Sequence, residues 1–164
     1  MNIQSFSLGL SALLLAACSA GEAPSENAAG AMESGTVKAA AQLSHRWYTF
    51  QQIDTGFGIF QQNCSVCHGS QAEGAGNWRE SGPDGKYPAP PLDGSGHAWH
   101  HPLNILFQVI KNGSPGGQGN MPAWSEKLSE EDMISVIAWF QSKWPEEIYL
   151  AWMQRELASR KGGG

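Results

Sequence analysis

Cys64-Ser65-Val66-Cys67-His68 is the stretch of this chain with the greatest chemical content. Two thiols three residues apart, followed at once by an imidazole, fit one helical turn. At that spacing both sulfurs can add across the two vinyl groups of a haem while the imidazole comes to lie over the iron. Two other chemistries use a C-x-x-C pair: a dithiol redox couple and half of a zinc site. A structural zinc site needs a second pair of ligands, and the only other cysteine is Cys18. A dithiol pair of the thioredoxin kind sits in a βαβ pattern, and no strand-rich segments flank this motif. The run therefore reads as an attachment site for one covalent haem c.

Such residues need a scaffold, and the surrounding pattern supplies helices and loops. Trp47 to Asn63 is predicted to form the first helix, running into the motif. Gly56 within it costs about 1 kcal/mol relative to Ala, so either a close packing partner requires it or Gly56 and Gly58 divide the segment in two. Gly69 to His101 has little periodicity and much Gly, Pro, Asn and Asp, as expected of a loop ordered by a bound group. Pro102 opens a helix through about Lys111, with Leu103, Leu106, Phe107 and Ile110 at helical spacing and Asn112-Gly113 as its stop. Its apolar stripe is expected to face core and haem. Ser114 to Asn120 is a Gly-rich loop that leads to Met121.

The closing helix is predicted from about Glu130 to Lys143, with Ile134, Ile137, Ala138, Trp139 and Phe140 as its apolar side and Pro145 as its end. Ser129 to Asp132 resembles a capping box, flanked by Leu128 and Met133 as a hydrophobic staple. Glu146 to Arg160 is a further helical pattern carrying Ile148, Trp152 and Leu157, which either lies back on the domain or presents a docking surface. Gly162 to Gly164 is expected to fray.

From about Asp54 to Trp144 the chain resembles the class I cytochromes c, single-haem, all-α electron carriers. The resemblance rests on Gly56, Phe60 and Cys64 ahead of the motif, on Pro90-Pro91-Leu92-Asp93-Gly94, on the Gly-rich loop ending in Met121-Pro122, and on the aromatic-rich closing helix. It implies a cytochrome c-like fold in which first and closing helices cross at Gly56, with Phe60 against Trp139 and long loops wrapped around the haem. The helical pattern after Pro145 is an addition to that fold. The resemblance further implies that the Pro90 carbonyl accepts a hydrogen bond from His68, that Leu92 packs on the macrocycle, and that His68 and Met121 are the axial ligands. A thioether suits haem iron, and a Met/His pair raises its potential. His97, His100 and His101 are rival sixth ligands; Met133 is better explained by the staple, and Met153 lies beyond the family-like region. Trp78, Arg79, Lys86, Tyr87, Trp99 and His100 could meet the haem propionates or simply face solvent. Trp99 stands out, because a large indole in a Gly-bounded segment needs burial and its N–H then needs an acceptor.

The residues before His45 read as targeting and tether. Leu8 to Ala17 is a short apolar run ending in small residues, too brief to span a bilayer. Leu15-Ala16-Ala17-Cys18 resembles a bacterial lipobox, which implies a signal peptide over residues 1–17 and a lipidated Cys18; the alternative is a plain signal cleaved near Ala17 or Ala20. With Cys18 lipidated and Cys64 and Cys67 on haem, no thiol is left for an oxidising compartment to damage. Residues 18–44 are rich in Ala, Gly, Ser and Glu and poor in large apolar residues, the composition of a flexible tether, with a span of about 25–30 Å. Residues 45–164 then form one domain. A net charge of −5 suggests no nucleic-acid partner.

A haem with both axial positions taken by protein has no open place for a substrate. The expected role is therefore electron carriage between a protein donor and acceptor, on the periplasmic side of a membrane, by a protein that is not an enzyme on its own. Ser19 after Cys18 leans, by resemblance to bacterial sorting rules, towards the outer membrane. Two alternatives stand: a gas sensor or peroxidase-like protein whose sixth ligand dissociates, and a fixed electron-transfer subunit of a larger oxidoreductase.

Overall fold

Thr49 marks where the extended chain turns into helix. Its hydroxyl accepts from the Gln52 N–H at 3.2 Å, and the Gln52 side chain accepts from the Thr49 N–H at 2.9 Å, a reciprocal cap for two otherwise orphaned donors. Helix α1 therefore spans Phe50–Asn63 rather than starting at Trp47. The residues ahead of it have a different task. Trp47 donates its indole N–H to Gln141 Oε1 at 2.7 Å, and its backbone N–H donates to the Tyr149 hydroxyl at 3.2 Å. The computed structural model describes residues 45–162; the proposed signal segment, Cys18, the tether and Gly163-Gly164 lie outside the described residues.

The described elements are helical, with no strand among them and one isolated bridge between Tyr87 and Gly119. After α1 come the single turn α2 (Ser65–His68), α3 (Leu103–Asn112), α4 (Glu130–Ser142) and α5 (Glu146–Gly162). Short 3-10 turns at Ala98–His100 and Pro115–Gly117 punctuate the loops. This is the expected all-α, cytochrome c-like architecture.

Helix α1 runs unbroken through Gly56 and Gly58, so the segment is not divided. A Cβ at Gly56 would collide with the Ser135 carbonyl and lie 2.9 Å from Trp139 Cβ. The backbones of α1 and α4 thus meet where a side chain has no room, which is the packing reason for a residue that weakens the isolated helix. One turn on, the Phe60 ring packs closely on that of Trp139, with centroids 4.2 Å apart.

At the start of α4 the Ser129 hydroxyl accepts from the Asp132 N–H and the Asp132 carboxylate accepts from the Ser129 N–H, each at 3.1 Å. Met133 is buried and Leu128 packs against the core beside it, as the staple requires. Val136 through Gln141 are all buried, because α4 is covered on more than one side. Its end falls at Ser142, with Lys143 as the cap.

Helix α5 lies back on the domain, the first of the two outcomes expected of it. Tyr149, Trp152 and Glu156 are buried while Leu157 is 52% exposed, and the helix continues to Gly162. The reason is long-range: Trp152 donates its indole N–H to the His101 carbonyl at 3.0 Å. In α3 the apolar stripe also divides. Leu106 and Ile110 enter the core, whereas Leu103 and Phe107 line an open groove of about 470 Å³ shared with Ile134 and Arg160.

Arg46 clasps the start of the domain to the α4–α5 junction. Its guanidinium lies 3.8 Å over the Tyr149 ring, pairs with Glu146 at 2.7 Å, and donates to the Gln141 and Trp144 carbonyls at 3.5 and 3.4 Å. Tyr48 is buried beside it. Burial pushes the Tyr48 phenol up to about 12, with Arg46 partly opposing, and raises Tyr149 as well. A phenol held protonated in the folded state contributes stability that is complete below its unfolded value near 10 and is lost as pH rises towards 12. Urea unfolding should show Tyr48 contributing a loss approaching 1.4 kcal/mol per pH unit over that interval. Tyr48→Phe should flatten the fall by this share; an unchanged slope would contradict the assignment.

Candidate functional site

The Cys64–His68 turn grows directly out of α1. The Cys64 N–H donates to the Phe60 carbonyl at 2.8 Å, closing α1, and the Cys64 carbonyl accepts from the N–H groups of Cys67 and His68 at 3.1 and 3.0 Å. One turn thereby holds both thiols and the imidazole. Cys64 is half-buried, Cys67 is exposed, and Val66 between them is 87% exposed, so the turn sits at the surface with its histidine directed inward. Burial pushes the Cys64 thiol up to about 11, with Cys67 adding to the shift, so at neutral pH it is a neutral thiol. The two cysteines form no disulfide.

His68 is 7% exposed, and its Nδ1 lies 2.9 Å from the Pro90 carbonyl oxygen. A carbonyl only accepts, so Nδ1 must carry the hydrogen. Burial holds the imidazole below its usual pKa, against the opposing effect of that hydrogen bond. At neutral pH the ring is therefore the neutral Nδ1–H tautomer, with the Nε2 lone pair available to a metal.

Pro90 is held in place by the loop that follows the turn. The His68 carbonyl accepts from the Gly74 N–H at 2.7 Å; Ala75 N–H donates to the Ala89 carbonyl at 2.9 Å, and Leu92 N–H to the Ala72 carbonyl at 2.8 Å. Gly74, at φ +69°, lies so close to Pro90 and Pro91 that a Cβ would clash with their backbone. From the far side, the Trp144 indole donates to the Leu92 carbonyl at 2.7 Å. The Pro90–Leu92 segment is thus fixed at both ends, with Leu92 half-buried against the core. Sequence reasoning missed Trp144, since no local pattern signals a bond across 52 residues.

Met121 is positioned by the end of α3. Gly113 terminates the helix, then the Ser114 N–H donates to the Met121 carbonyl at 3.0 Å and the Met121 N–H donates to Ser114 Oγ at 3.1 Å. The Gly-rich loop is tied to the preceding turn by Tyr87 N–H to the Gln118 carbonyl at 2.8 Å and Asn120 Nδ2 to Asp84 Oδ2 at 3.1 Å. Met121 is half-buried against the same core as Leu92.

Trp99 stands in the 3-10 turn Ala98–His100. It is half-buried, edge-on to His100 at 4.0 Å with the Arg155 guanidinium 4.7 Å from its ring, so its packing is towards α5. Among the described residues the indoles that find acceptors are Trp47, Trp144 and Trp152, not Trp99. His97 stacks on Trp78 at 5.5 Å and meets His101 edge-on at 5.5 Å. Arg79 lies 4.2 Å over the Trp78 ring, and Tyr87 is exposed.

The donor set suits a c-type haem: two thiols on one surface turn, an oriented imidazole with a free lone pair, and a thioether on an anchored loop. Among the described residues no three or more His, Cys, Asp or Glu side chains converge as a metal site.

Comparison with known proteins agrees. Residues 51–140 match the family described as cytochrome C oxidase, cbb3-type, subunit III. The chain is 32% identical over 85 residues to the Cbb3-type cytochrome c oxidase subunit CcoP of Azospirillum sp. (strain B510), covering 52% of this chain but only 26% of that protein. It is 27% identical over 89 residues to cytochrome c6 of Bryopsis maxima, covering 53% of this chain and 86% of that one. No solved structure matches. The matched segment contains the C-x-x-C-H turn, Pro90 and Met121, and members of the family carry covalently attached haem c: the chain belongs to the cytochrome c family represented by cbb3-type oxidase subunit III.

Proposed function

We propose that this chain carries single electrons between protein redox partners, using one haem c bound to Cys64 and Cys67 and ligated by His68 and Met121. The observation that carries this reading is the 2.9 Å contact from His68 Nδ1 to the Pro90 carbonyl. It fixes tautomer and ring plane, as ligating histidines require, and leaves Nε2 for iron. When bound, haem c supplies a one-electron couple. The chain's own residues do the rest: the Cys64–Cys67 turn attaches, Pro90 orients His68, Leu92 packs, and Ser114 holds the Met121 backbone. Trp99 is kept as a candidate near the propionates, although its observed neighbours favour a role in seating α5. With both axial positions filled by protein, no place for a substrate is left, so the chain acts as a carrier and not as an enzyme on its own.

The similarity to CcoP, named as a subunit of a cytochrome c oxidase, favours a second reading in which this domain is a fixed electron-transfer subunit of a larger oxidoreductase. No helix of the described residues is long and apolar enough to cross a membrane. Independently of this, Leu15-Ala16-Ala17-Cys18 supports attachment through a lipidated Cys18, with residues 18–44 as the tether and residues 45–164 as the haem domain on the periplasmic side. Ser19 points to the outer membrane.

Met121→Ala should lower the reduction potential, abolish the weak red charge-transfer band of ferric Met-ligated haem, and let carbon monoxide bind the ferrous form quickly. An unchanged spectrum and a distal face still closed to carbon monoxide would assign the ligand to His97, His100 or His101. Rapid binding of carbon monoxide by the wild type at neutral pH would favour a sensor or peroxidase. Cys18→Ala should remove the lipid and release any exported protein from membranes, as read by intact mass and fractionation; a wild-type protein of unlipidated mass would refute the anchor.

A further inference from the structure

The helix that leads to Met121 begins without a cap of its own. Pro102 occupies the N-cap of α3, offers no side-chain acceptor, and is followed by no acidic residue in the first turn. Such a start leaves backbone donors to be satisfied from elsewhere. The acceptor comes from 53 residues away: Glu156 Oε2 on α5 takes the Leu103 N–H at 2.7 Å. The other carboxylate oxygen takes the Arg160 Nε–H at 2.8 Å, and Glu156 is only 8% exposed. A carboxylate at this point both makes a charge-assisted hydrogen bond and meets the positive end of the helix dipole. The Trp152 bond to the His101 carbonyl seats α5 against the residue just before Pro102.

The opposite end of α3 runs through Gly113 into Ser114, whose hydroxyl and N–H hold both backbone groups of Met121. A rigid helix of ten residues therefore joins the Glu156 carboxylate to the Met121 anchor. Glu156 lies outside residues 51–140, the segment shared with the family. We infer that Glu156 is a positioning residue: by capping α3 from the C-terminal helix it fixes the register of α3 and so the hold of the Met121 loop on the iron. This inference rests on Met121 being the sixth ligand. Loss of the cap frees the first turn of α3 and lets Ser114 and Met121 drift together.

The test uses the holoprotein with Glu156→Met, which keeps the volume but removes the acceptor, and Glu156→Gln, whose amide oxygen can still accept from Leu103. Glu156→Met should raise the rate of carbon monoxide binding to the ferrous protein roughly tenfold, the scale of losing one buried charge-assisted bond at a helix start. It should also weaken the ferric red band. Glu156→Gln should restore most of both. Arg46→Gln, which loosens the domain at the opposite clasp, should lower the urea midpoint without raising the carbon monoxide rate. Wild-type rate and band in Glu156→Met would overturn the inference while leaving Met121 as ligand. A wild type without the red band would remove the ligand assignment, and the inference with it. Should Glu156→Met not fold, hydrogen exchange in the wild type decides: the amides of Leu103 to Leu106 and of Met121 should open together, and independent opening would overturn the coupling.

Discussion

The hydrogen bond between His68 Nδ1–H and the Pro90 carbonyl is the constraint on which the rest of the site depends, because it ties two segments that have no helix in common. His68 belongs to the turn that ends α1, and its place is set by the crossing of α1 over α4 at Gly56. Pro90 belongs to a loop with no periodicity, and its place is set by backbone bonds from Ala72 and Ala75 and by the Trp144 indole on Leu92. If either segment shifted by a fraction of an ångström, the imidazole would be free to rotate and to change tautomer. Burial of the ring keeps it neutral, so the same packing that positions the imidazole also keeps its lone pair available.

Much of the chain beyond the family-like segment serves this geometry. Helix α5 carries the indole that binds the His101 carbonyl and the carboxylate that caps α3; the Arg46 clasp acts elsewhere, at the α4–α5 junction. Trp144, at the hinge between α4 and α5, holds the Leu92 carbonyl. The loops on either side of the site are therefore braced from one direction by α4 and α5. A domain of this size has a modest core, and bonds between sequence-distant elements are what give long loops a single conformation.

What could be read from the sequence was local. The C-x-x-C-H spacing, the capping box at Ser129, the staple of Leu128 and Met133, the stop at Asn112-Gly113 and the demand of Gly56 for a close neighbour each involve residues within a turn or two, where types and intervals carry the information. What could not be read was decided at a distance. The pattern of Ile148, Trp152 and Leu157 left open whether α5 would lie back or face outward; it lies back with Tyr149, Trp152 and Glu156 buried, bonded to Trp47, His101 and Leu103 respectively. Trp47 has a helical setting by pattern but is drawn away by Gln141 and Tyr149, which leaves Thr49 to cap α1. Leu103 and Phe107 matched the spacing of Leu106 and Ile110, but spacing alone does not say which neighbour a stripe will meet. For Trp99 the need for burial was legible, and the Arg155 guanidinium it meets on α5 was not.

The proposed centre of the site is one haem c held by two thioethers at Cys64 and Cys67, and that attachment is the claim from which ligation, redox role and the coupling to α5 all follow. Acid-acetone extraction of the purified protein, with iron and haem counted per chain, tests it directly. The account predicts that one haem per chain stays with the polypeptide and that Cys64→Ala with Cys67→Ala releases it. Haem passing into the organic phase from the wild type, or a protein isolated with zinc and no haem, would contradict it.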